Sequence, residues 1–183
     1  MRRDRPPGEE RELMLRVQAG DPQAFREIFQ EYQPGLFNYV YRLSGGDAAV
    51  AEDVTQQVFL NFWLHRKEYD LERPLAPLLL TMARNAWVNT VRREGLRRAP
   101  PPVEPPTPDT RAERDLERQD LERAVERALA ELDEPLREVF VLSRYNGLKY
   151  GQIAEMLGIS IKTVEARLSR ALQELERKLK DYL

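Results

Sequence analysis

Six prolines, Pro100, Pro101, Pro102, Pro105, Pro106 and Pro108, crowd the segment from Ala99 to Thr110. Proline has no amide hydrogen to give a helix, and its ring clashes with the preceding turn, so no helix crosses this segment. Drawn out as polyproline II at about 3.1 Å per residue, it spans roughly 35 to 40 Å. It divides the chain into two blocks. Two readings of it are open: a plain spacer, or a spacer that threads a partner.

Both blocks carry helical periodicity. A third of the residues are charged, with only 9 glycines in 183 residues, a composition that suits amphipathic helices. Asp21-Pro22 reads as an N-cap and a first helical residue, after which Ala24, Phe25, Ile28, Phe29 and Tyr32 recur at helical spacing. A second helix is expected after Pro34, carrying Leu36, Phe37, Val40 and Leu43 and ending at Ser44-Gly45-Gly46. Asp47 caps a third, reaching about Leu64, and a fourth runs from near Pro77 to about Arg93, after a polar loop from His65 to Pro74. In the second block, Arg111 to Leu132 is a highly charged helix with Leu116, Leu121, Val125, Ala128 and Leu132 on one side. Glu134-Pro135 opens the next, which carries Leu136, Val139, Phe140 and Leu142 and ends at Asn146-Gly147. The expected fold is all-α, with two small helical domains, residues 10–97 and 113–183, joined by a Pro-rich linker, residues 98–112.

The last two helices, from about Tyr150 to Leu157 and from Ile161 to about Leu179, form the pattern of a helix-turn-helix. The first buries Ile153, Ala154 and Leu157, Gly158 turns the chain, and Ser160 caps the second. In that second helix Val164, Leu168, Ala171, Leu172 and Leu175 fall on one stripe. The opposite face centres on Lys162, Ala166, Ser169, Arg170 and Gln173, flanked by Thr163, Glu165 and Arg167. Small, polar and basic groups in this arrangement suit phosphates and base edges. A purely structural helical hairpin is the competing reading, but such a surface would more often carry Glu and Lys throughout. Glu165 can accept from a cytosine amine or repel phosphate.

Two further features ask for partners. The third helix ends in Phe59, Leu60, Phe62, Trp63 and Leu64, apolar nearly all round, which a domain of this size can hardly bury by itself. The fourth puts Thr81, Arg84, Asn85, Val88, Asn89 and Arg92 along one side, with Arg93, Arg97 and Arg98 beyond. Arginines can hold phosphates while asparagines offer paired donors and acceptors to bases. With 29 basic against 31 acidic residues and a net charge of -2, nucleic-acid binding must come from such local patches.

Other function classes find little support. The chain has no cysteine and a single histidine, His65, so thiolate chemistry and cysteine-ligated metals are excluded, and no metal spacing or phosphate-cradling glycine motif occurs. No cofactor and no enzyme activity are expected. The charged, proline-containing start lacks the apolar core of a signal peptide, and no apolar run approaches eighteen residues, so a cytoplasmic protein without membrane insertion is expected.

Leu132-Asp133-Glu134-Pro135-Leu136-Arg137-Glu138-Val139-Phe140, Gly147-Leu148-Lys149-Tyr150, Ile153-Ala154 and Thr163 to Leu172 together resemble the fourth conserved region of bacterial sigma factors. Ala51-Glu52-Asp53-Val54-Thr55-Gln56-Gln57-Val58-Phe59 resembles their second region, and Ala83-Arg84-Asn85 with Arg92-Arg93 resembles the promoter-melting helix. Two such domains with no third match the extracytoplasmic-function group of the sigma-70 family. The resemblance implies docking of the third helix on the β′ clamp helices of core RNA polymerase through Asp53, Gln56, Gln57, Leu60 and Trp63. It implies contact with the −10 promoter element by Arg84, Asn85, Asn89, Arg92 and Arg93, with the loop from His65 to Pro74 receiving a flipped base. There Tyr69 is either a stacking group or a structural tyrosine. It implies −35 recognition by Lys162, Thr163, Glu165, Ala166, Arg167, Ser169 and Arg170, a β flap contact, and an anti-sigma factor as a further partner.

The chain departs from the family in reading Leu75-Ala76-Pro77-Leu78 where a Trp is common, and Asn89 where an Asp is common. The rival function is a DNA-binding regulator whose first block senses a signal. A sensor needs neither the apolar end of the third helix nor the Arg84-Asn85 segment, and those residues discriminate the two.

Overall fold

The computed structural model describes residues 7–94 and 113–182, and every regular element among them is helical. The first domain holds α1 (Pro7–Gln18), α2 (Pro22–Leu43), α3 (Ala48–Leu64) and α4 (Leu75–Glu94). The second holds α5 (Glu113–Ala130), α6 (Glu134–Arg144), α7 (Tyr150–Leu157) and α8 (Ile161–Lys178), closed by a 3₁₀ turn, Lys180–Tyr182. The proline-rich segment expected at 98–112, with Arg97 and Arg98 at its edge, lies outside the described residues.

Helix starts follow the capping chemistry of the sequence. The Asp21 carboxylate accepts from the Gln23 and Ala24 amides at 2.8 and 3.3 Å, and Arg16 holds its other oxygen. The Arg16 hydrogen bond, and then those backbone amides, keep the Asp21 carboxyl below the usual range. Asp47 accepts from the Val50 amide at 3.0 Å, and the Ser160 hydroxyl from the Thr163 amide at 3.1 Å. The start of α4 is capped from a distance. Glu10 of α1 accepts from the Leu75 amide through one oxygen and from the Tyr32 hydroxyl through the other, each at 2.9 Å.

Three points differ from the sequence reading. α1 precedes the first helix read from the sequence, and it forms because Leu13, Met14 and Val17 are buried and Glu10 ties α1 to α2 and α4. A break is expected at Pro34, yet α2 runs straight through it. Pro34 itself faces out, while Ala24, Ile28, Tyr32, Leu36, Tyr39, Val40 and Leu43 continue one buried stripe along the whole helix. Burial of that stripe offsets the single backbone bond that proline removes. Leu172, expected in the buried stripe of α8, is 40% exposed, and that stripe consists of Val164, Leu168, Ala171 and Leu175.

The two domains share a core. One cluster of buried side chains runs from Leu13 and Val17 through Ile28, Leu36, Tyr39 and Phe62 to Val141, Leu142, Ile153 and Val164. α6 contributes Val139, Val141 and Leu142 to it and packs against both α2 and α8. A smaller cluster of Ala128, Leu129, Leu132, Leu136, Ala171 and Leu175 ties α5 to α6 and α8.

The turn between α7 and α8 rests on Gly158, whose φ of 65° is left-handed, with its amide donating back to the end of α7. Nothing lies within 4 Å of a Cβ added there, so backbone conformation alone demands glycine. Gly158→Ala should cost about 1 kcal/mol in urea denaturation. Gly151→Ala, in the first turn of α7 and with equally open surroundings, should be neutral or stabilising by up to about 1 kcal/mol.

Candidate nucleic-acid interface

The exposed face of α8 is the face the sequence singled out. Lys162, Glu165, Ala166, Ser169, Arg170 and Gln173 are all exposed, and Thr163 and Arg167 are half-buried at its margins. Two features fix how this face is presented. Gly158 sets the angle of entry, and the Ser160 hydroxyl, which also meets the Thr163 hydroxyl at 2.8 Å, anchors the first turn. At the far end Lys178 pairs with Glu131 of α5.

On α4 the expected contact residues divide. Asn85, Asn89, Arg92 and Arg93 are exposed. Arg84 is only 31% exposed, because its Nε donates at 2.8 Å to the Glu138 carboxylate of α6. Thr81 turns its hydroxyl back to the Pro77 carbonyl at 2.7 Å.

The loop between α3 and α4 is tied down rather than loose. The Tyr69 ring stacks on Phe62 with centroids 5.2 Å apart, its hydroxyl points to the Met82 sulfur, and its carbonyl accepts from Gln18 at 2.9 Å. Burial, and then Glu68, push the Tyr69 hydroxyl up from its ordinary value. Arg66 donates to the Trp63 carbonyl at 2.8 Å and lies over the Trp63 ring, 4.4 Å from its centroid. His65 meets Glu68 at the surface.

α3 separates cleanly into two sides. Ala51, Val54, Thr55, Val58, Phe59 and Phe62 face the core, where Phe25 meets the rings of Phe59, Phe62 and Trp63. Asp53, Gln56, Gln57, Leu60 and Leu64 recur at helical spacing on the outer side. Leu60 is 53% and Leu64 61% exposed, and Trp63 is half-buried at their margin. A carboxylate and two amides leading into two bare leucines make a surface suited to a protein partner rather than to phosphates.

Sequence reasoning missed the polar groups that join the two domains. Glu138 is buried, its Oε1 accepting from the Tyr39 hydroxyl at 3.0 Å as well as from Arg84. Burial, and then the Glu138 charge, push the Tyr39 hydroxyl well above its ordinary value, so it stays a donor. Arg42 of α2 donates to Glu126 of α5 at 2.7 Å and lies 3.9 Å from the centroid of the Tyr145 ring. The Asn146 side chain donates to the Gly35 carbonyl at 3.3 Å. A signal for Glu138 was present, since Val141 and Leu142 flank it in helical projection. A carboxylate in the middle of an apolar arc calls for a donor from another element.

Among the described residues no group of three or more His, Asp or Glu is placed to hold a metal ion, and no helix is long and apolar enough to cross a membrane.

Two family models match this chain: "Sigma-70 region 2" over residues 28–97 and "Sigma-70, region 4" over residues 122–175. The ECF RNA polymerase sigma factor SigL of Mycobacterium tuberculosis is 33% identical over 165 residues, covering 89% of this chain and 93% of the relative. SigW of Bacillus subtilis, also an ECF RNA polymerase sigma factor, is 26% identical over 179 residues, covering 90% and 94%. Among solved structures, CnrH in complex with the cytosolic domain of CnrY is similar with a TM-score of 0.71 and 26% identity, covering 94% of this chain and 97% of that one. Sigma factors are promoter-specificity subunits, not catalysts. With both sigma regions present in order along its length, and a relative one third identical across nearly all of it, the chain belongs to the extracytoplasmic-function group of sigma-70 family RNA polymerase sigma factors.

Proposed function

We propose that the first domain, residues 10–97, binds core RNA polymerase and helps open the −10 element, that the second, residues 113–183, reads the −35 element, and that residues 98–112 let the two act at separated sites. On α3, Asp53, Gln56, Gln57, Leu60 and Trp63 meet the β′ clamp helices. On α4, Arg84, Asn85, Asn89, Arg92 and Arg93 meet −10 DNA, with Tyr69 beside the flipped base. On α8, Lys162, Thr163, Glu165, Ala166, Arg167, Ser169 and Arg170 enter the −35 major groove, while the second domain also meets the β flap. The setting is the cytoplasm, where polymerase and promoter DNA are found.

The observation that carries this reading is the division of labour between the exposed faces. α8 presents small and basic groups suited to DNA, whereas α3 presents Leu60 and Leu64, which water disfavours. A cognate anti-sigma factor completes the partner set. The bare leucines need a cover when polymerase is absent, and the similar CnrH was solved in complex with the cytosolic domain of CnrY.

Run-off transcription with core polymerase, this protein and a genomic promoter library tests the reading. Promoter-dependent transcripts are expected, whereas DNA binding without any transcript would favour a regulator. Arg170→Ala should weaken −35 DNA binding by about 1 to 3 kcal/mol without loss of polymerase association. Asp53→Ala combined with Gln56→Ala should do the reverse in a polymerase pull-down.

The leucine surface makes its own prediction. Leu60→Ser with Leu64→Ser should leave unfolding free energy within about 0.5 kcal/mol per site of the parent while lowering polymerase affinity. Phe62→Ala, midway between the two leucines in sequence but in the core, should cost about 3 to 5 kcal/mol in the same denaturation experiment.

A further inference from the structure

Among the proposed −10 contact residues on α4, Arg84 is held by a side chain of the other domain. Asn85, Asn89, Arg92 and Arg93 are exposed on the same helix, whereas the Nε edge of Arg84 is taken by a carboxylate from the opposite domain. The carboxylate competes with a phosphate oxygen for Arg84, since both are anionic acceptors for the same guanidinium edge. It is itself 6% exposed, so it cannot leave Arg84 while the domains stay docked. Tyr39, fully buried, supplies its second donor.

The remaining polar groups of the junction are imperfectly matched. Among the described residues, neither the Asn146 Oδ1 nor the Arg42 Nε has a hydrogen-bond partner, although both atoms are buried. Buried polar atoms without partners cost free energy that hydration would return on opening. The polar part of the docked arrangement is thus anchored at Glu138.

We infer that Glu138, held between Tyr39 and Arg84, is an intramolecular latch that keeps the −35-reading domain folded against the −10-reading domain and withholds Arg84 from promoter DNA until the domains part. This rests on the promoter-binding role proposed above for α4. Opening and DNA binding are linked: whatever binds the separated domains shifts the population toward them, and loss of the latch raises the binding-competent fraction.

The absence of native cysteine makes the test clean. Nitroxide labels on Asn38→Cys and Arg144→Cys, both exposed residues on the two sides of the junction, report its separation in the full-length protein by electron paramagnetic resonance. The parent should give one short, narrow distance. Glu138→Gln, which removes the charge and keeps the shape, should add a long, broad component. It should also tighten polymerase-free binding to a promoter duplex with a pre-opened −10 segment by about tenfold, the factor that one charge-assisted hydrogen bond commands. Tyr39→Phe, which leaves both charges in place, should move both readouts the same way by a smaller amount, and it carries the test if Glu138→Gln does not fold. An unchanged distance in a folded variant overturns the latch. A longer distance with unchanged DNA affinity overturns the masking of Arg84. Failure of the promoter-binding reading is separable, because it appears as an absent run-off transcript from the parent while the distances still report the latch.

Discussion

A single carboxylate, Glu138, sits where the two domains meet, and much of the observed arrangement depends on its being satisfied. Removing an anion from water costs several kcal/mol unless donors replace the lost hydration. Here the donors come from α2 and α4, neither of which belongs to the domain that carries Glu138. α6 is consequently buried on two sides, by α8 through apolar packing and by α2 through a mixture of apolar and polar contacts. α6 thus links α8 to the first domain, beside the direct contacts of α7 with α4 and of α5 with α2.

Within each domain the logic is more local. Aspartate and serine caps set the starts of α2, α3 and α8, and the apolar stripes set which face turns inward. The long-range tie made by Glu10, which joins α1 to the start of α4 and to Tyr32, holds the loop carrying Tyr69 between fixed ends. The aromatic group around Phe25 then supports the inner side of α3, leaving its outer side free to present Leu60 and Leu64.

How much of this was legible beforehand depended on whether the signal was local. The helix-turn-helix was, since Gly158, Ser160 and the stripe Val164, Leu168, Ala171 and Leu175 lie within a short stretch and each answers to backbone or solvent alone. The exposed end of α3 was legible too, as a surplus of apolar residues over the faces available to bury them. α1 was not, because three apolar residues in a charged segment become a helix only when α2 and α4 are there to receive them. The continuity of α2 through Pro34 was hidden for a related reason, as local propensity argues for a break and only the long buried stripe overrules it. The junction at Glu138 pairs residues 99 and 54 positions apart, a separation at which periodicity within one helix shows the need for a donor and not which donor meets it.

The left-handed turn at Gly158 has a consequence beyond geometry. The pose of α8 is set by that turn, by the Ser160 cap and by four inward residues, while the outward residues Lys162, Glu165, Ala166, Ser169 and Arg170 contribute little to holding the fold. Mutation can therefore rewrite the outward face at small structural expense. A lineage built on this scaffold is free to drift in which promoters it selects while the machinery that delivers it stays the same.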